Sequence, residues 1–235
     1  MFNVESESEL ERIATLSRAL GRRASFCLRV NPNVDPHTHE YTTTGKEENK
    51  FGVDFDRVPE VAERFAREPA LEFCGLHVHL GSPVPEVEPY LEAVAVLLGL
   101  CARLEQRGLP VRVLNLGGGW PVSYTEEPAL PIEQFASRLV PVLRERVARG
   151  LRVRIEPGRS IVANAGVLVT RVQHVKRGRA RTFVVCDAGM HTLIRPALYR
   201  AFHFVWPAAW GGPSPQWRED ARLGGEGFAG LVPCD

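Results

Sequence analysis

Lysine is nearly missing from this chain. Of its 29 basic residues only Lys46, Lys50 and Lys176 are lysines; the others are arginines. Chemistry that needs a primary amine on a side chain is confined to those positions. Cysteine is sparse too: Cys27, Cys74, Cys101, Cys186 and Cys234 form no CxxC pair and no even-numbered framework. That excludes a disulfide scaffold and suits a reducing, cytoplasmic setting. Cys27, Cys74 and Cys186 sit inside apolar runs, where cysteine behaves as a small hydrophobe, and no metal site is expected. Excess charge is absent as well. A formal net charge of +1 points to neither nucleic acid nor an anionic membrane. No apolar run approaches the roughly 18 residues that span a bilayer. The opening MFNVESESELERI lacks the basic and apolar regions of a secretory signal. What is present is an ordinary soluble composition, 44% hydrophobic and 24% charged, in 235 residues. That length suits one large domain, or one and part of another.

Strand and helix signals alternate along the chain. Residues 2–4 form a short apolar piece, and Ser6 caps a helix to about Leu20 through Leu10, Ile13 and Leu16. Strands follow at 25–30, 71–80, 111–116 and 151–155, with helices at about 57–67, 87–106 and 131–149. The intervening stretch 33–49 is too long and polar for a simple connection and reads as a functional or mobile loop. This βαβα order predicts a parallel sheet covered by helices. From Ala165 the texture changes, and 167–175 and 182–186 read as antiparallel strands. The Gly-, Pro- and Trp-rich stretch 206–235 shows little periodicity.

Parallel α/β folds gather function at the C-terminal ends of their strands. Those ends here are Asn31-Pro32, the His77/His79 segment with Gly81-Ser82, the run Gly117-Gly118-Gly119, and Glu156-Pro157-Gly158-Arg159. Glycines let backbone amides approach an anion, and Ser and Arg add donors, so the set suits a phosphate. Each piece has a plainer reading. A triple glycine is commonly a turn, a strand-end histidine a satisfied structural residue, and Glu156 beside Arg159 a salt bridge.

Taken together, the motifs resemble the fold-type III pyridoxal-phosphate decarboxylases. The stretches that carry the likeness are FNVESESEL (2–10), LRVNPNVDPHTHEYTTTGKEENKFGV (28–53), GLHVHLGS (75–82), LNLGGGWPVSY (114–124), EPGRSIVANAGVLVTRV (156–172) and VCDAGMHTLIRPALY (185–199). The glycine run and EPGR are shared with the ornithine and arginine branches. HTHxYxxTG, KFG and IRPALY lean toward the diaminopimelate branch. The resemblance implies an α/β fold: about strands 4–8 of a (β/α)8 TIM-type barrel over residues 1–164, then the start of a β-rich domain over 165–235. It implies pyridoxal 5'-phosphate as cofactor, an amino-acid substrate, and a homodimer. The reaction would be decarboxylation of meso-2,6-diaminopimelate to L-lysine. Ornithine- or arginine-type decarboxylation, a racemase-like activity, and a non-catalytic binding remnant are the alternatives.

By the same resemblance Glu156 pairs with the pyridine nitrogen and keeps it protonated, so that the ring acts as an electron sink. Gly158 and Arg159 bind phosphate, with Ser82 and Gly117, Gly118 and Gly119 completing the cradle, and His79 stacks on the ring. Arg159 also touches substrate. Arg195 and Tyr199 hold the substrate's distal carboxylate and amino group, although spacing alone suits a surface arginine and a packing aromatic. The family's Schiff-base lysine lies in a YAxKAN-like stretch that this chain does not contain, and none of its lysines has that context. The chain opens on a stretch matching the fourth strand and ends before the CESGD-like motif, so an internal portion of a decarboxylase is expected. Cys234 is not the cysteine of that motif. Edges are then expected at residues 2–4 and 151–155, with apolar inner strand faces open to water.

Overall fold

The computed structural model describes residues 1–34, 51–124, 128–205 and 207–208. Lys46, Lys50, Cys234, nearly all of the polar loop and almost the whole of 206–235 lie outside the described residues.

Six strands make one sheet. Phe2–Val4 (β1), Ala24–Asn31 (β2), Leu71–His77 (β4), Val113–Asn115 (β5) and Arg152–Arg154 (β6) lie side by side in that order, and Val53–Asp54 (β3) pairs with the end of β2. Every pairing is parallel. The connections carry helices Glu7–Ala19 (α1), Val58–Ala66 (α2), Glu88–Gln106 (α3) and Ile132–Ala148 (α4), as the period of their apolar residues predicts. Ser6 does cap α1, its Oγ accepting from the Glu9 amide while Glu9 accepts from the Glu5 amide. The two bonds satisfy donors at the start of the helix.

The core lies between sheet and helices. Val4, Phe26, Leu28, Val30, Leu76, Val78, Leu114 and Leu116 point from the strands into it, against Leu10, Val61, Phe65, Leu97, Leu100, Phe135 and Leu139. Alternation puts the intervening residues on the other face. In register they form rows: Asn3–Cys27–Gly75–Val113–Arg152, then Arg29–His77–Asn115–Arg154. That face is therefore polar above a small patch of Cys27, Cys74 and Val113, which corrects the expectation of apolar inner strand faces. The alternation within each strand obliges this, because its apolar half is committed to the helices.

A bulge in β4 decides where the histidines go. Phe26 faces Phe73, but Cys27 faces Gly75, so Cys74 is the extra residue. From there the parity of β4 is reversed, and His77 joins Arg29 and Asn115 on the polar face. Gly75 is required: a Cβ there would stand 1.8 Å from the Val113 carbonyl oxygen.

The sheet is curled. Its outermost strands are β1 and β6, yet Asn3 Nδ2 lies 2.9 Å from Glu156 Oε1, just beyond β6. Flat strands at about 4.8 Å spacing would hold those ends nearly 20 Å apart.

The chain divides into two units, 1–122 with 129–163, and 123–128 with 164–235. The second contains the antiparallel pair Val172–Arg177 (β7) and Thr182–Cys186 (β8) and the short helix Arg195–Tyr199 (α6). Strand structure begins at Val172 rather than at 167, and Arg171 and Thr170 instead bind the Asp187 carboxylate. Periodicity gives no warning of three short elements: β3, α6, and the helix Gly158–Val162 (α5) that follows Glu156. Each is too brief to show a repeat. Among the described residues no helix is long and apolar enough to cross a membrane, and no cluster of His, Cys, Asp and Glu suits a metal ion.

Candidate functional site

Strand ends of the first unit converge on one rim, and their side chains are held by one another. Glu156 follows β6. Its Oε1 accepts from Asn115 Nδ2 at 2.8 Å and Asn3 Nδ2 at 2.9 Å. Asn115 is buried on β5, and its Oδ1 accepts from the Gly117 amide at 3.0 Å. The glutamate and the glycine loop thus share one side chain.

The triple glycine is a junction of loops. Gly117 has φ +70° and would place a Cβ 2.3 Å from the Val78 carbonyl, and at Gly118 a Cβ would stand 2.6 Å from that of Glu156. No larger residue fits between these segments. All three carbonyls are used: Gly117 O accepts from the Glu156 amide, Gly118 O from Tyr90 Oη at 2.6 Å, and Gly119 O from the Val84 amide. The Gly118 amide donates to His79 Nδ1 at 3.1 Å. Within the run, Gly119 alone keeps a backbone N–H without a hydrogen-bond partner among the described residues. Beneath the loop, Tyr90 stacks on Trp120 with centroids 4.6 Å apart, and Phe135 packs edge-on to both. Burial raises the Tyr90 hydroxyl pKa, so the phenol stays a donor.

Ser82 and Arg159 meet at the same rim, with Arg159 Nη2 3.1 Å and Nε 3.2 Å from Ser82 Oγ. The guanidinium and the glutamate of EPGR therefore serve different partners. Gly158 donates its amide to the Glu156 carbonyl.

Arg29, only 8% exposed, pairs with Glu5, whose second oxygen accepts from the Gly52 amide at 2.8 Å. Beside it His77 is buried, with neither ring nitrogen hydrogen-bonded among the described residues and Nε2 3.6 Å from Glu156 Oε1. Burial above all, and Arg29 next, outweigh the pull of Glu156 and bring the His77 pKa to about 4. At neutral pH the His77–Glu156 contact is consequently not an ion pair. Burial and then Arg29 also depress His79, which keeps Nδ1 available as an acceptor.

Arg195 and Tyr199 belong to the second unit. Arg195 lies over the Tyr124 ring, 5.2 Å from its centroid, and its Nη1 is 3.1 Å from His203 Nε2. Burial and the neighbouring Arg195 depress the His203 pKa, which suits it to accept from the guanidinium.

The motifs pointed to Glu156, Arg159, Ser82, His79 and the glycines, and the fold brings these together. They did not point to Asn3, Asn115, Tyr90 or the Arg29–Glu5 pair. A polar residue interrupting the apolar runs FNV and VLNL was the available signal for the asparagines.

The donor set fits a phosphorylated pyridine. An arginine–serine pair and the Gly119 amide can meet a dianion, a carboxylate with one oxygen to spare can meet a ring nitrogen, and a neutral histidine stands at the loop. A covalent amine is another matter: the described residues of the first unit include no lysine, and Lys176 lies on β7 in the second.

Set beside known proteins, residues 1–163 match the family described as "Pyridoxal-dependent decarboxylase, pyridoxal binding domain". The chain is 47% identical over 202 residues to a diaminopimelate decarboxylase of Pseudomonas aeruginosa, covering 86% of this chain and 48% of that protein. With a diaminopimelate decarboxylase of Aquifex aeolicus the identity is 41% over 207 residues, covering 88% and 49%. A solved structure of diaminopimelate decarboxylase from Helicobacter pylori complexed with L-lysine is similar at TM-score 0.78 and 38% identity, covering 86% of this chain and 50% of that one. The chain spans about half the length of the curated relatives it matches.

Proposed function

The chain belongs to the pyridoxal-dependent decarboxylase family, and from that premise we propose that it forms the cofactor-holding part of a diaminopimelate decarboxylase. The observation that carries this reading is the single rim where Glu156, His79, the Ser82–Arg159 pair and the glycine loop meet. Pyridoxal 5'-phosphate, when bound, supplies an electron sink for the bond pair left as carbon dioxide departs. Glu156 holds the proton on the ring nitrogen through its free oxygen. Arg159 and Ser82 take phosphate oxygens, with Gly119 adding a backbone donor and Gly158 opening the turn that presents Arg159. Gly117 and Gly118 shape the loop, since their amides are already engaged. His79, fixed by the Gly118 amide, would cover the ring face.

For Arg195 and Tyr199 the proposed role is toward substrate, where a bidentate guanidinium suits a carboxylate. Identities above 40% to two diaminopimelate decarboxylases support that substrate over ornithine or arginine. A (β/α)8 barrel, a homodimer and a cytoplasmic setting complete the reading, and the curl of the sheet supports the first.

The test is titration of the chain with pyridoxal 5'-phosphate and with unphosphorylated pyridoxal, followed by fluorescence. Arg159→Gln is expected to weaken the phosphorylated ligand by about tenfold, the worth of a charge-assisted hydrogen bond, and to spare the other. Equal affinity of the unsubstituted chain for both ligands would contradict the phosphate assignment. Arg195→Lys is expected to weaken capture of meso-diaminopimelate while leaving pyridoxal 5'-phosphate affinity unchanged.

A further inference from the structure

We propose that Asn3 and Asn115 are positioning residues for Glu156, occupying one carboxylate oxygen so that the other alone is presented to the ring nitrogen of the cofactor. The inference rests on the cofactor reading above and extends it to two residues the motifs did not mark.

Both amide nitrogens converge on Oε1, at 2.9 Å from Asn3 on the marginal strand β1 and at 2.8 Å from Asn115 on β5, the neighbour of β6. Among the described residues, Oε2 accepts no hydrogen bond. His77 Nε2 stands 3.6 Å from the filled oxygen, and its buried, neutral ring walls that side of the carboxylate from water. The Glu156 side chain is nevertheless 44% exposed, so its second oxygen faces an accessible rim. Two neutral donors are a fitting choice. They orient the carboxylate and support its charge without bringing a cation that would compete with a protonated ring. Asn115 does more: its Oδ1 holds the Gly117 amide at 3.0 Å, so one side chain sets the distance between the loop and the carboxylate.

The test compares two probes, pyridoxal 5'-phosphate and its 1-deaza analogue, in which C–H replaces the ring nitrogen. Dissociation constants are measured by fluorescence for the full chain and for Asn3→Ala and Asn115→Asp. Asn3 is half-buried at the sheet margin, so Asn3→Ala removes chiefly the donor to Glu156, whereas Asn115→Asp keeps the acceptor for Gly117 and replaces the donor by a second carboxyl facing Glu156. The unsubstituted chain is expected to prefer the natural cofactor by about tenfold, as one charge-assisted hydrogen bond provides. Either substitution is expected to shrink that preference severalfold while changing affinity for the analogue little. In a Glu156→Gln background the asparagine substitutions should leave the preference unaltered.

A merely structural role would weaken both probes equally in both variants, and that result overturns the proposal while leaving the cofactor reading intact. If the unsubstituted chain binds neither probe, or fails to distinguish them, the Glu156 assignment falls, and this proposal falls with it.

Discussion

His77 shows how one side chain reports on the whole site. In the unfolded chain its ring takes up a proton near pH 6.5, whereas the folded ring, buried beside Arg29, resists until about 4. Between those values the unfolded state carries more protons, so folding stability falls as pH is lowered and is restored as pH rises toward 6.5. Above that the ring adds no pH dependence. The slope in the window is at most about 1.4 kcal/mol per pH unit from this group. Urea unfolding of the chain and of His77→Gln at pH 7, 5.5 and 4.5 is expected to show a shallower loss in the variant. An identical slope would mean that His77 takes up its proton as readily in the folded protein as in the unfolded chain. Tyr90 argues at the same scale. Removing its hydroxyl in Tyr90→Phe takes the only side-chain donor that the Gly118 carbonyl has among the described residues, and about 1 kcal/mol of stability with it.

Among the elements, α4 carries a visible conflict. Pro141 lies in the middle of a helix running from Ile132 to Ala148, where it offers no N–H to the turn before it. The side chain is exposed, so no packing compensates. Alanine is favoured over proline in a helix interior by about 3 kcal/mol, less roughly 1 kcal/mol for the stiffer unfolded chain. Pro141→Ala is therefore expected to stabilise by about 2 kcal/mol and to raise the melting temperature by several degrees. A lowered melting temperature in calorimetry would show that Pro141 contributes more to the fold than its missing N–H costs. The bulge in β4 teaches the opposite lesson, because an irregularity there is what brings His77 beside Asn115 and Glu156.

At the scale of the molecule, the two units are stabilised very differently. The first buries an apolar layer between sheet and helices, whereas β7 and β8 pair only with each other among the described residues and leave Val172, Val175, Phe183 and Val184 exposed. A two-stranded ribbon without a buried face is marginal in water. Hydrogen exchange is expected to be slowest at the amides of β2, β4 and β5, and faster by orders of magnitude in β7 and β8. Comparable protection in both would mean that the hairpin has a covering this fold does not show.

How much was legible beforehand follows from these cases. Local pattern determined the order of strands and helices, the cap at Ser6, the parallel sheet and the motif residues of the rim, because periodicity and turn chemistry act over a few neighbours. It even carried a trace of the bulge, since the apolar positions of LEFCGLHVHL change parity between Phe73 and Leu76. It could not say that this change turns His77 to the polar face, because facing depends on register against β2 and β5, fixed by residues far away in the chain. Nor could it join Asn3 to Glu156, 153 positions apart. That contact exists because strand twist curls the sheet until a side chain on β1 reaches the segment that follows β6, and curvature is a property of the assembled strands.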